Sequence, residues 1–154
     1  MRLSRTSFAF DEIKLFLQGS ENNPLVENCL VQYLLVAFYS EVEERVKEII
    51  LARIANIQDR KVAAFVFKSN EGMLKRVKKS EINEVLQKFD CGEGDIISGL
   101  VGGMNLQPYF DAITNRHLVT HQSGTTMTLN RFGEALSCAE TILDTVEIAL
   151  RPDA

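Results

Sequence analysis

The stretch TLNRFGEALSCAETILDTVEIAL, residues 128–150, decides the fold. Within it Leu129, Phe132, Leu136, Ala139, Leu143, Val146 and Leu150 follow one another in steps of three and four. That is the repeat of one helix face. Thr128 offers its hydroxyl as the cap at the start. This stripe is the strongest periodic signal in the chain and predicts a helix packed lengthwise in a bundle. A second signal lies upstream. Asn23 can cap, Pro24 suits the first helical position, and Val31, Leu35, Phe38, Val42, Val46 and Ile49 carry the same repeat to about Asn56. Glu41, Glu43, Glu44, Arg45, Lys47 and Glu48 form its solvated side.

Shorter elements fill the intervals. Ser7 is a predicted cap for a helix from Phe8 to Gln18, stopped at Gly19. A short apolar helix is expected over 59–68, around Val62, Phe65 and Val66. Ser80 is a predicted cap for Glu81 to Phe89, with Ile82, Val85, Leu86 and Phe89 inward. The stretch from Cys91 to Leu106 holds five glycines but no GK[ST] ending, so it reads as a flexible connection rather than a phosphate loop. Pro108 opens a helix running to about Gln122, with Phe110, Ile113 and Leu118 as its apolar members and Ser123-Gly124 as its stop. The expected fold is all-α: an up-and-down helical bundle of about four principal helices plus short ones, in a single domain over 1–154.

Composition narrows the class. Apolar residues make up 45% and charged residues 25%, which argues against disorder. No apolar run reaches membrane-span length without a polar interruption, and the opening MRLSRTSFAFDE turns acidic early, so neither a membrane partner nor a secretory leader is expected. Cys29, Cys91 and Cys138 are far apart and form no CxxC pair, which fits reduced thiols in the cytoplasm.

The chemistry concentrates in one window. The only two histidines, His117 and His121, lie in Asn115-Arg116-His117-Leu118-Val119-Thr120-His121. Histidine exchanges a proton near neutral pH, and arginine forks two N–H groups at a phosphate. Such a set, with no nucleophilic Ser or Cys close by, suits phosphodiester chemistry. RNA carries its own nucleophile in the 2′-hydroxyl. Arg116 would clamp the phosphate, His121 would move the proton, and His117 would orient the substrate. No metal and no cofactor is then needed. Arg116 and His121 are five residues apart, about 140° around an ideal helix and ~7.5 Å in rise, so arginine's reach or a loosened helix end must bring them together. One proton-transfer histidine also lacks a partner, and a two-fold dimer would supply it.

Arg116-x4-His121, with a polar residue directly after the arginine, resembles the signature of the HEPN family. The stretches FYSEVEERVKEII, KVAAFVFKSN and SEINEVLQKFD are similar to its RiboL-PSP-type branch, so the resemblance covers roughly residues 25–150. It implies a small helical bundle and a metal-independent endoribonuclease of toxin–antitoxin or antiviral systems. It implies Arg116 and His121 as the catalytic pair, His117 as the intervening polar residue, and a homodimer with a composite cleft. The partners it suggests are an RNA substrate and an antitoxin or other regulatory protein. His117 stands where asparagine is most frequent, and no glycine directly follows His121.

Other residues admit plainer readings. Lys75, Arg76, Lys78 and Lys79 form a basic cluster that would guide an RNA backbone or simply face solvent. Asp111 is a candidate ion partner for Arg116, and Glu41, Glu44 and Asp111 are candidates to orient the catalytic groups. His117 and His121, at i and i+4, share a helix face as metal ligands do, without the glutamate of HExxH. A non-catalytic helical module binding nucleotide, RNA or protein is the alternative to an enzyme.

Overall fold

The computed structural model describes residues 2–19, 23–70, 72, 77–121 and 125–151, apart from the side chains of 70, 120 and 121. All regular structure among them is helical. The elements are α1 (Ser4–Gly19), α2 (Pro24–Ala55), α3 (Arg60–Asn70), α4 (Lys79–Lys88), α5 (Ile96–Leu100), α6 (Gln107–His121) and α7 (Leu129–Ala149). Four of these are long, α1, α2, α6 and α7, and three are short.

The chain forms two compact units. One comprises Met1–Glu41 and Asn105–Glu140, the other Val42–Met104 and Thr141–Ala154. In the first, Phe38 of α2 lies edge-on to Tyr109 of α6 and to Phe132 of α7, with ring centres 6.0 and 5.6 Å apart. Phe38, Tyr109 and Phe132 are all fully buried. Phe10 of α1 reaches Phe132 at 5.8 Å. A side chain at Gly133 would meet the Phe10 ring at 3.0 Å, so the glycine in the second turn of α7 is what lets α1 lie close. In the second unit Val42, Val46, Ile50, Val85, Leu86, Leu143 and Val146 make the core.

The two periodic stripes fold as expected. Asn23 Oδ1 accepts from Leu25 N at 3.1 Å, and Thr128 Oγ1 accepts from Arg131 N at 3.2 Å. By length and composition α2 is apolar enough to cross a membrane. Core helices pass the same test, and Val31, Leu34, Leu35, Phe38, Val42 and Val46 are buried here.

Three expectations need correction. First, α1 begins at Ser4, and Ser7 is a buried residue inside it whose N–H donates to Leu3 O at 2.8 Å. The cap comes from distant carboxylates instead. Glu41 of α2 accepts from Arg5 N (3.2 Å), Thr6 N (2.8 Å) and Thr6 Oγ1 (2.7 Å). Glu140 of α7 accepts from Arg2 N (2.7 Å) and Leu3 N (2.8 Å). Acidic groups at a helix start satisfy its orphan donors and its positive dipole end.

Second, α4 starts at Lys79, because Glu81 Oε2 reaches back to Lys78 N at 2.9 Å. It ends with Asp90 at φ 61° while Cys91 N donates to Leu86 O at 3.0 Å and Asp90 N to Gln87 O at 2.9 Å. That is a Schellman close with aspartate in the left-handed position glycine usually takes. Asp90→Gly is therefore expected to raise stability by about 0.5–1 kcal/mol, the left-handed penalty less glycine's unfolded entropy. The urea midpoint is the measurement.

Third, the glycine-rich connection is ordered around a helix. Asp95 Oδ1 accepts from Ser98 N at 3.3 Å to cap α5, and Ile96 and Ile97 are buried. Asn83 of α4 donates to Asp95 Oδ1 and accepts from Ile97 N, both at 3.0 Å. Gly92, Gly94, Gly102 and Gly103 take positive φ and shape the turns on either side.

Candidate functional site

Arg116 and His117 are neighbours in the last turns of α6 and flank one aromatic ring. The Arg116 guanidinium carbon sits 4.3 Å from the centre of the Tyr39 ring, and the His117 ring meets the same ring edge-on at 6.2 Å and 70°. Tyr39 comes from α2 and is half-buried, as are Arg116 and His117. A guanidinium over an aromatic face gains about 0.5–2 kcal/mol and gives up freedom of rotation. The ring thus fixes where the positive charge stands. Arg116 Nε and His117 Nε2 are shielded from solvent. His121 is the last residue of α6, and its side chain lies outside the described residues.

Thr125 and Thr126 are tied to α6 one residue before Arg116. Asn115 is buried; its Nδ2 donates to Asp111 O at 2.9 Å, and its Oδ1 accepts from Thr125 Oγ1 (2.9 Å), Thr126 N (3.2 Å) and Thr126 Oγ1 (3.2 Å). Asn28 of α2 donates to Thr125 O at 2.8 Å. These bonds hold Thr125 and Thr126, just before α7, against α6 and α2. Beside them is an open cavity of about 490 Å³ lined by Asp111, Asn115, Thr126, Met127, Thr128 and Arg131.

Two carboxylates proposed to orient the site do other work. Asp111 receives Gln107 Nε2 at 2.8 Å and Arg131 through Nε (3.2 Å) and Nη2 (2.9 Å). The Gln107 hydrogen bond, with Arg131 beside it, holds the Asp111 carboxyl below the ordinary range. Glu41 caps α1 and pairs with Arg5 Nε at 3.5 Å. Burial pushes the Glu41 carboxyl up, but the bonds from Thr6 and Arg5 outweigh it and the net shift is downward.

The basic cluster divides. Lys75 and Arg76 lie outside the described residues. Lys78 is exposed at the start of α4. Lys79 is ion-paired with Asp95, and the contact holds the Asp95 carboxyl well below its usual range. Lys78 and Lys79 belong to the second unit, Arg116 and His117 to the first. Among the described residues no group of three or more His, Cys, Asp and Glu side chains converges to hold a metal ion.

Sequence reasoning missed Tyr39 and Asn115. Asn115 carried a signal, being a poor helix former inside a helix. Tyr39 carried none, since its partners are remote in sequence. No family model, no curated protein and no solved structure matches the chain.

Proposed function

We propose that this chain is a metal-independent endoribonuclease of HEPN type, acting in the cytoplasm as a homodimer in a toxin–antitoxin or phage-defence setting. The observation that carries this reading is the Arg116 guanidinium held against Tyr39 beside His117, on the helix that His121 ends. Arg116 clamps the scissile phosphate and neutralises charge as it builds. His121 takes the proton of the 2′-hydroxyl or returns one to the leaving 5′-oxygen, and the second copy supplies the complementary group. A helix C-terminus favours the protonated imidazole. His117 contacts the substrate or steadies Tyr39. The products are a 2′,3′-cyclic phosphate and a 5′-hydroxyl. Lys75, Arg76, Lys78 and Lys79 guide the RNA backbone, Lys79 with part of its charge offset by Asp95, and an antitoxin or other protein regulates the enzyme.

A specific observation favours a second reading, a non-catalytic helical module: Arg116 Nε and His117 Nε2 are shielded from solvent. One experiment separates the two. The protein is given RNA in excess chelator, alongside the same RNA with a single 2′-deoxy nucleotide at the cut site. The endoribonuclease cuts the first to cyclic-phosphate ends and spares the second. Cutting at the deoxy position overturns the nucleophile, and folded protein that cuts no RNA is the binding module.

A further inference from the structure

The cavity beside Asn115 serves none of the steps proposed above. At about 490 Å³ it falls within the size range of small-molecule sites. Asp111 and Asn115, one turn apart on α6, line one side; Thr126, Met127, Thr128 and Arg131 line the other. Asp111 and Asn115 stand about 140° and 100° around α6 from Arg116, so the cavity opens on another flank of that helix.

Its walls are ordered before any ligand arrives. Asn115, 8% exposed, is bonded to Asp111 O, Thr125 and Thr126. Arg131 is bonded to Asp111 and to Glu134 Oε2, the latter at 2.7 Å. Side chains already held in place lose little freedom on binding. Among the described residues these bonds also leave a definite remainder. A guanidinium has five N–H groups. Nε and Nη2 each give one to Asp111 Oδ2 and Nη1 gives one to Glu134, so one N–H remains on each terminal nitrogen. A carboxylate has about four acceptor positions. Arg131 takes both on Asp111 Oδ2, Gln107 takes one on Oδ1, and one on Oδ1 remains. Gln107 and Arg131 hold that carboxyl low, which keeps it an ionised acceptor at neutral pH. The wall therefore offers two donors beside one acceptor, and Met127 adds an apolar surface.

We propose that this cavity takes a guanine base, read along its N7, O6 and N1–H edge. Those positions run acceptor, acceptor, donor, the complement of Arg131 and Asp111 side by side. Arginine to N7 and O6 is the commonest base-specific pairing. Adenine breaks the order with its N6 amine next to N7, and uracil sets N3–H between two carbonyls. Cytosine repeats the order through O2, N3 and the N4 amine, but its single ring leaves more of the cavity unfilled. Charge argues for a base over a phosphate, because Arg131 already answers to two carboxylates, Asp111 and Glu134. A free nucleotide and an RNA strand both present this edge. The inference goes beyond the cleavage reading and stands without it.

The test is binding to the whole chain followed by amide NMR shifts, with ligands up to millimolar concentration. The ligands are guanosine 5′-monophosphate, its 7-deaza analogue, the adenosine, cytidine and uridine monophosphates, and inorganic phosphate. A 2′-O-methyl oligouridine with one central guanosine, which cannot be cut by 2′-hydroxyl attack, completes the set. The guanosine nucleotide is expected to shift the amides of Asn115, Thr126 and Arg131 and to bind about tenfold or more tighter than the other three nucleotides. Loss of N7 in the 7-deaza analogue is expected to weaken binding by about tenfold. Arg131→Gln and Asp111→Asn are expected to abolish the preference; their ion pair is one-third exposed and contributes little to folding. Tighter binding of the oligonucleotide than of the mononucleotide supports an RNA strand as the source, and the reverse supports a free nucleotide. No shift at those amides, the same shifts from phosphate alone, or equal or tighter binding of another base overturns the proposal. So does undiminished binding of the 7-deaza analogue, a result read on wild type and independent of either variant's folding. Guanine binding without RNA cleavage supports the cavity and counts against the nuclease; cleavage without guanine binding does the opposite.

Discussion

If the chain is the endoribonuclease proposed above, Arg116→Ala is expected to lower RNA cleavage by about 10²–10³-fold, the usual cost of removing one preorganised group that stabilises transition-state charge. His121→Ala costs ~10²–10⁴-fold, the range of general acid–base catalysis. The two losses are not expected to add, since the proposed reading has both groups act on one phosphate. The Arg116 variant is expected to stay folded. Arg116 is half-buried, and losing its contact with the Tyr39 ring costs only about 0.5–2 kcal/mol of the 5–15 that a domain holds. Arg116→Lys restores little, because an ammonium keeps the charge but neither stacks as a plane nor forks two bonds. In that reading Tyr39 acts through Arg116, whose guanidinium lies over its ring, as a positioning residue. Tyr39→Phe keeps the ring and most of the rate. Tyr39→Ala frees the guanidinium, lowering kcat more than it raises KM. A quenched fluorescent RNA with circular dichroism in parallel reads all of these. Wild-type rates in Arg116→Ala would refute the assignment.

What the sequence made legible follows from the range of the interactions involved. The stripes of α2 and α7 announce themselves because each buries a continuous face over many turns: Val31, Phe38 and Val42 on one, Phe132, Ala139 and Val146 on the other. Asn23 and Thr128 cap their own helices and are equally local. The start of α1 was not legible, because its caps are Glu41 and Glu140, which belong to α2 and α7. Nothing near Ser4 marks them. The α5 helix hid for a different reason. It has five residues, too few to show a period, and it exists because Asn83 and Asp95 bridge it to α4. The site divides along the same line. Two histidines and an arginine in one window can be read from composition. The pairing of Arg116 with Tyr39 depends on how α6 meets α2, and only folding supplies it.

Removing the Glu41 carboxylate is the substitution with the largest expected effect on stability. The side chain is buried, 1% exposed, and its two oxygens take three donors: Arg5 N on Oε1, and Thr6 N and Thr6 Oγ1 on Oε2. Hydrogen bonds to a charged group are worth about 1.5–3 kcal/mol each and are not additive, and truncation leaves the Thr6 donors buried with no acceptor. Glu41→Ala is expected to cost ~3–5 kcal/mol, as breaking a buried charged pair does. Glu41→Gln keeps the shape but not the chemistry. Its amide turns one NH₂ toward a backbone N–H whichever way it is placed, so it still costs ~2–3 kcal/mol for an unmet buried donor. The effect is local first: α1 loses the cap at its start, and Phe10 leaves Phe132 and Gly133. Faster hydrogen exchange across α1 than across α7 would report that order. The acid side of the stability curve supplies the control. The folded Glu41 carboxyl sits below its ordinary value, so its contribution is complete above about pH 4.3 and fades as pH falls through the lowered folded value. Wild type loses part of its advantage over Glu41→Gln in that window, and urea midpoints of the two proteins converge there. Parallel curves down to the acid limit would mean that Glu41 is not the ionised cap of α1.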